Sequence, residues 1–174
     1  MRRATAAVLG LVWATTACTP ALNWREVQPK GSGLTTLFPC KPSSQARRLA
    51  LAGVQVEMAL YACSADDAIY SVGFADVAQP QLVARALDEL AWAAAHNIAA
   101  TDLPAPLPLR IEGATPNLGS GRRGFSGQLP DGMPVQEQVA VFARGTRVFQ
   151  VTMIGAQLDR QAVDAFFGAL RFAV

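Results

Sequence analysis

Hydrophobic and polar residues change period repeatedly along this chain, and each change marks an element. Val54, Val56, Met58 and Leu60 alternate with Gln55, Glu57, Ala59 and Tyr61, the period of two expected of a half-buried strand, with Cys63 on the face opposite the aliphatic set. After the turn-forming run Ser64-Ala65-Asp66-Asp67, the residues Tyr70, Val72 and Phe74 share one face, so residues 54–76 are predicted to form a hairpin. Residues 47–52 supply a further strand joined through Gly53. The period then shifts: Val83, Leu87, Leu90, Ala94 and Ile98 recur at steps of three and four, while Arg85, Asp88, Glu89 and Trp92 lie off that stripe. This spacing predicts an amphipathic helix over about 80–99, with Pro80 suited to its first turn.

On either side of this stretch the pattern reads as strand again. Residues 34–39 form a short one, halted by Pro39 and Pro42, which bracket Cys40 and Lys41. Leu107, Leu109 and Ile111 alternate, residues 115–124 read as a glycine-rich connection, and 125–129 and 135–142 flank the turn tripeptide Pro130-Asp131-Gly132. A second turn at Arg144-Gly145-Thr146 leads to Phe149, Val151 and Met153 on one face. The last helix has its start written out: Asp159 is the cap, Leu158 and Val163 form a hydrophobic staple, and Val163, Phe166, Phe167 and Leu170 are the apolar stripe. Because each helix is apolar on one side only, each must lie on a sheet. The expectation is an α+β fold in which an antiparallel sheet is covered by two amphipathic helices.

Composition adds an address. The 174 residues are 51% hydrophobic and 16% charged, the range of one packed domain, here placed at 34–174. Residues 1–17 differ from the rest: Arg2 and Arg3 precede an apolar stretch of roughly ten residues, which suits the core of an export signal and is too short to span a bilayer of about 30 Å. Thr15-Thr16-Ala17-Cys18 resembles the lipobox of bacterial lipoproteins, with small Ala17 before the cysteine and Thr15 in place of the preferred aliphatic residue. The resemblance implies lipidation of Cys18, and Thr19 after it favours sorting to the periplasmic face of the outer membrane. Cleavage by the general signal peptidase, yielding a soluble periplasmic or secreted protein, is the alternative reading. Residues 18–33 then form a tether and N-terminal segment.

Without Arg2 and Arg3, the 13 remaining basic residues balance 13 acidic ones, so the apparent basicity belongs to the signal. Nucleic acid is therefore excluded as an expected partner, because that binding rests on clustered cations; Arg47-Arg48 and Arg122-Arg123 are too small a patch. With Cys18 lipidated, Cys40 and Cys63 remain as an even pair in an oxidising space, and a disulfide between them is expected, closing a loop of about two dozen residues and stabilising by roughly 3 kcal/mol. Two buried thiols are the other possibility.

Three segments resemble the PsbP-like family: Phe38-Pro39-Cys40-Lys41-Pro42, Tyr70-Ser71-Val72-Gly73-Phe74-Ala75-Asp76, and Arg147-Val148-Phe149-Gln150-Val151-Thr152-Met153 followed by Phe166-Phe167-Gly168-Ala169-Leu170-Arg171-Phe172. The likeness runs over about residues 34–172. It implies an α-β-α sandwich, a fold found in an extrinsic photosystem II subunit, in a nuclear transport factor that binds a small GTPase, and in many bacterial exported proteins. Where many bacterial members have Gly after Phe-Pro, this chain has Cys40. The motifs are packing motifs, so the resemblance implies no single activity.

The remaining motifs carry little chemistry. Gly119-Ser120-Gly121-Arg122-Arg123-Gly124 matches the spacing of a dinucleotide loop, but strand rather than helix is predicted after it. Ser126 lies in a poor match to a nucleophile elbow, and the only histidine, His96, is near the end of the long helix, so a hydrolase built on the two is the weaker reading. One histidine and two bridged cysteines do not make a zinc site, and Asp66, Asp67 and Asp76 lack the spacing of a calcium loop. No cofactor or metal is expected. Trp92 is a candidate surface contact. The expected role is that of a non-enzymatic envelope lipoprotein, anchored to the membrane through Cys18, that binds or stabilises another envelope component; a small-ligand carrier is the alternative, and it requires a cavity between a helix and the sheet.

Overall fold

The computed structural model describes residues 22–173, so the expected export signal at 1–17, Cys18 and Thr19 lie outside the described residues. Strands β1 (Arg25–Val27) and β2 (Leu34–Phe38) are followed by the meander β3 (Ser43–Leu51), β4 (Val54–Ala65) and β5 (Ala68–Asp76). A 3-10 turn at Pro80–Leu82 leads into α1 (Val83–Asn97). A second meander, β6 (Gly121–Gln128), β7 (Pro134–Arg144) and β8 (Arg147–Gly155), precedes α2 (Arg160–Gly168) and the two-residue β9 (Arg171–Phe172). The meanders join through β5 and β8 into one antiparallel sheet of order β3-β4-β5-β8-β7-β6, and β1-β2-β9 form a separate three-stranded sheet.

The turns explain the register. Between β3 and β4 the chain turns on Ala52 and Gly53, and between β4 and β5 on Asp66 and Asp67, all four at positive φ, as two-residue hairpins matched to strand twist require. The β7–β8 turn places Gly145 at φ 60° between the paired Arg144 and Arg147. With register fixed, alternation separates the faces. Tyr70, Val72, Phe74, Ala140, Phe142, Phe149, Val151 and Met153 point to one side, and Val56, Met58, Ala75, Val139, Val141 and Val148 to the other.

The expected α+β arrangement of one antiparallel sheet under two amphipathic helices, as in the PsbP-like α-β-α sandwich, is corrected by this structure. Among the described residues strand accounts for 47% and helix for 18%; there are two sheets, and one helical run of 18 residues is accompanied only by a short one. The physical reason lies at both ends of the domain. Pro39 and Pro42 break the chain after β2, which leaves the main sheet and pairs instead with β1 and β9. That small sheet shares the aromatic face with α2: Leu34 and Phe38 from β2, Phe172 from β9, and Phe166 and Phe167 from α2 pack there together. The nine-residue α2 starts where expected, Asp159 Oδ1 accepting the N–H of Ala162 at 2.8 Å, but it fills only part of the layer.

Residues 121–124, expected as a loop, belong to β6, and Leu107 and Glu112 make isolated bridges rather than a strand. Cys40 and Cys63 form a disulfide with Cα atoms 6.1 Å apart, which ties the end of β2 to β4 and hence the small sheet to the large one.

Candidate functional site

The helical cover of the second face is incomplete. Helix α1 lays Val83, Ala86, Leu87, Leu90, Ala91 and Ala94 on the strands, its alanines allowing close approach, and stops at Asn97. The stop is well made. Ile98 and Ala99 turn the chain, Ala99 at φ 49°, and Ala100 donates its N–H back to Ala95 O at 2.9 Å. The Ile98 carbonyl, freed by that turn, accepts the N–H of Gln128 at the end of β6 at 2.6 Å. The approach is so close that a Cβ on Gly127 would overlap the Ile98 carbonyl, which is why glycine stands there.

Beyond the helix end the strands continue uncovered. A cavity of about 280 Å³ lies under the last turn of α1, walled by Leu60, Ser71, Glu137, Gln150 and Thr152 from the sheet and by Asn97 and Ile98 from the helix end. A second groove of about 390 Å³ continues from it, sharing Leu129 and Ile154 and adding Ile69, Met133 and Val135. Ile69 and Met133, 49% and 56% exposed, are large apolar side chains that both line this groove. Cavity and groove together form a trough that is polar at the helix end and apolar toward the sheet end.

Glu137 is the unusual member. It occupies the middle of β7, in register with Ile154 of β8 and Phe125 of β6, and is only 4% exposed. Among the described residues its carboxylate has no hydrogen-bond or ion-pair partner, and desolvation alone pushes its pKa up to about 7. Its polar neighbours are arranged around the cavity: Ser71 and Thr152 are a cross-strand pair, and Gln150 donates through Nε2 to Leu90 O at 3.2 Å, leaving its own carbonyl oxygen free to accept. Arg47, also on the cavity wall, is exposed at the rim.

The residues singled out in the sequence are not gathered here. Ser126 lies on β6 in register with Gln136, on the sheet face away from α1, and His96 is exposed in the last turn of α1, so the two are not brought together. Asp66 and Asp67 form the β4–β5 turn, whereas Asp76, at the far end of β5, accepts from the Ala78 N–H at 2.8 Å. The Thr146 hydroxyl, followed by that backbone bond, holds the Asp76 carboxyl below the ordinary range. Gly121–Gly124 pair with β7 and no helix follows, so the backbone cradle for a pyrophosphate is missing. Arg123 of that motif is instead 6% exposed and donates through Nε to Pro104 O at 3.1 Å, pinning the proline-rich segment over β6. Trp92 is exposed on α1, off its buried stripe. No cluster of three or more His, Cys, Asp or Glu able to hold a metal occurs among the described residues, and no helix among them is long and apolar enough to cross a membrane.

Sequence reasoning missed Glu137, although a signal existed. Val135, Val139 and Val141 alternate along one face of β7, and Glu137 is the single acid on that apolar row. No protein-family model matches the chain, and no curated protein or solved structure does either.

Proposed function

We propose that this chain is an exported, non-enzymatic lipoprotein, held by a lipid on Cys18 at the periplasmic face of the outer membrane, whose trough binds or stabilises another envelope component. The observation that carries the reading is the uncovered part of the sheet face beyond Asn97, where Ile69 and Met133 stand exposed around a groove that α1 leaves open. Exposed apolar side chains grouped at a concave surface mark interaction sites more often than singly scattered ones do. The address is supported by Arg2, Arg3 and the apolar run before Ala17-Cys18, and by a Cys40–Cys63 bridge suited to an oxidising compartment.

The small-ligand reading is favoured by one specific feature, the cavity between the end of α1 and the sheet. The test is capture from membranes with the intact protein, alongside a Met133→Asp variant and an unrelated protein carrying the same anchor. A component retained by the wild type and lost with Met133→Asp is expected; retention indifferent to that substitution contradicts the trough as the binding surface. Intact mass of the membrane-extracted protein checks the address, with diacylglycerol on Cys18 expected and an unmodified cysteine contradicting it.

A further inference from the structure

We propose that the trough takes an amphiphile with an unbranched apolar chain and a protonated amine head, the chain lying along Ile69, Leu129, Met133 and Ile154 and the ammonium meeting the Glu137 carboxylate. This rests on the trough being a binding surface and names the chemistry it selects. A carboxylate in a protein interior is ordinarily paired, because removing an ion from water is costly without a counter-charge. Glu137 is 4% exposed, has no partner among the described residues, and lines a cavity rather than packed side chains.

Left alone, such a group keeps its proton to higher pH; a cation small enough to enter the cavity would supply the counter-charge its ionised form lacks. An alkylammonium fits the rest of the wall as well, since it has three N–H donors: one for Glu137, and others for the hydroxyls of Ser71 and Thr152 or the free carbonyl oxygen of Gln150. The groove that continues from the cavity through Leu129 and Ile154 is apolar, which fits a hydrocarbon chain and not a second polar group. An anionic head is disfavoured at the same place, because the one cation on the wall, Arg47, sits exposed at the rim rather than beside Glu137.

The trough opens at the end of the sheet where the N-terminal segment joins the fold: the N–H of Asn23 bonds to Pro39 O beside Cys40, and Cys40, Cys63 and Ile69 border one depression. Leu22 and Trp24 themselves pack on the aromatic face, so the sheet separates the N-terminal segment from the ligand site.

The experiment is calorimetric titration of the full chain carrying Cys18→Ser, so that no attached lipid competes, with decylamine, decanol and decanoate below their aggregation concentrations. Decylamine is expected to bind at least about tenfold more tightly than either of the others, the size of one desolvated charge pair. Glu137→Gln, which keeps shape and removes charge, should bring decylamine within about threefold of decanol while decanol is unchanged. Thermal shifts of the wild-type chain by the same probes give a second readout independent of the variant. Equal affinity for the three probes, or an amine preference that survives Glu137→Gln, overturns the proposal. Absence of binding by every probe, with a Met133-dependent component still captured from membranes, also overturns this chemistry and leaves the envelope-binding reading standing.

Discussion

The two faces of the main sheet are finished differently. One is sealed by aromatic side chains: Phe142 stacks on its cross-strand partner Phe149 with ring centroids 5.0 Å apart, Phe172 of β9 packs edge-on at 5.2 Å from Phe149, and Phe166 of α2 fills the space between Phe38 and Tyr70. The other is covered by α1 as far as Asn97 and left open beyond, with a buried acid, a serine and a threonine where the first face carries rings. Aromatic packing is concentrated where two sheets and a helix converge. The face with room for a ligand is the one whose helix ends early, on a carbonyl shared with β6.

Substitutions should separate the two faces. The largest effect is expected at Phe166, whose replacement by Ala leaves a cavity among Phe38, Tyr70 and Phe167 and should lower unfolding free energy by about 4 kcal/mol in chemical denaturation. Breaking the bridge with Cys40→Ser and Cys63→Ser frees the small sheet from β4 and should cost about 3 kcal/mol, read in the same way under oxidising conditions.

On the open face the effect should depend on pH. The Glu137 carboxyl is raised from 4.5 to about 7, so below about 4.5 both folded and unfolded chains hold its proton and its burial carries no ionisation penalty. As pH rises from there to 7 the unfolded chain ionises first and its contribution to stability falls, by on the order of 3 kcal/mol in all. Glu137→Gln should flatten that part of the pH–stability profile. A smaller loss, about 1 kcal/mol, is expected for Asp159→Ala, which removes the accepted Ala162 N–H and frays α2, detectable as earlier hydrogen exchange in its first turn.

What could be read in the sequence followed from how each strand is buried. The hairpin of β4 and β5 announced itself because polar and apolar residues alternate there, and the long helix because its apolar stripe has a polar opposite face. Strand β3 was legible only at its end, since Ser43 through Arg48 are all exposed and carry no alternating signal. The glycines of β6 read as loop, yet Gly127 is required by the helix end lying against that strand, a tertiary constraint invisible to periodicity. Two residues of β9 are too few to show any period, so the second sheet was missed and two covering helices were expected instead. At the site, the Cys40–Cys63 pairing followed from counting cysteines. Glu137 did not, because the valine row shows that one side of β7 is buried but not that the covering helix ends beside the acid and leaves a cavity there.

Glu137 also offers the most direct test of the difference between the faces, through the carboxyl carbon chemical shift followed by NMR across pH. A midpoint near 7, apart from the exposed carboxyls of the same molecule, is expected of a desolvated, unpartnered acid facing a cavity. A midpoint in the ordinary range, about 4.3, would mean that Glu137 is solvated or paired, and would contradict the open face as the site.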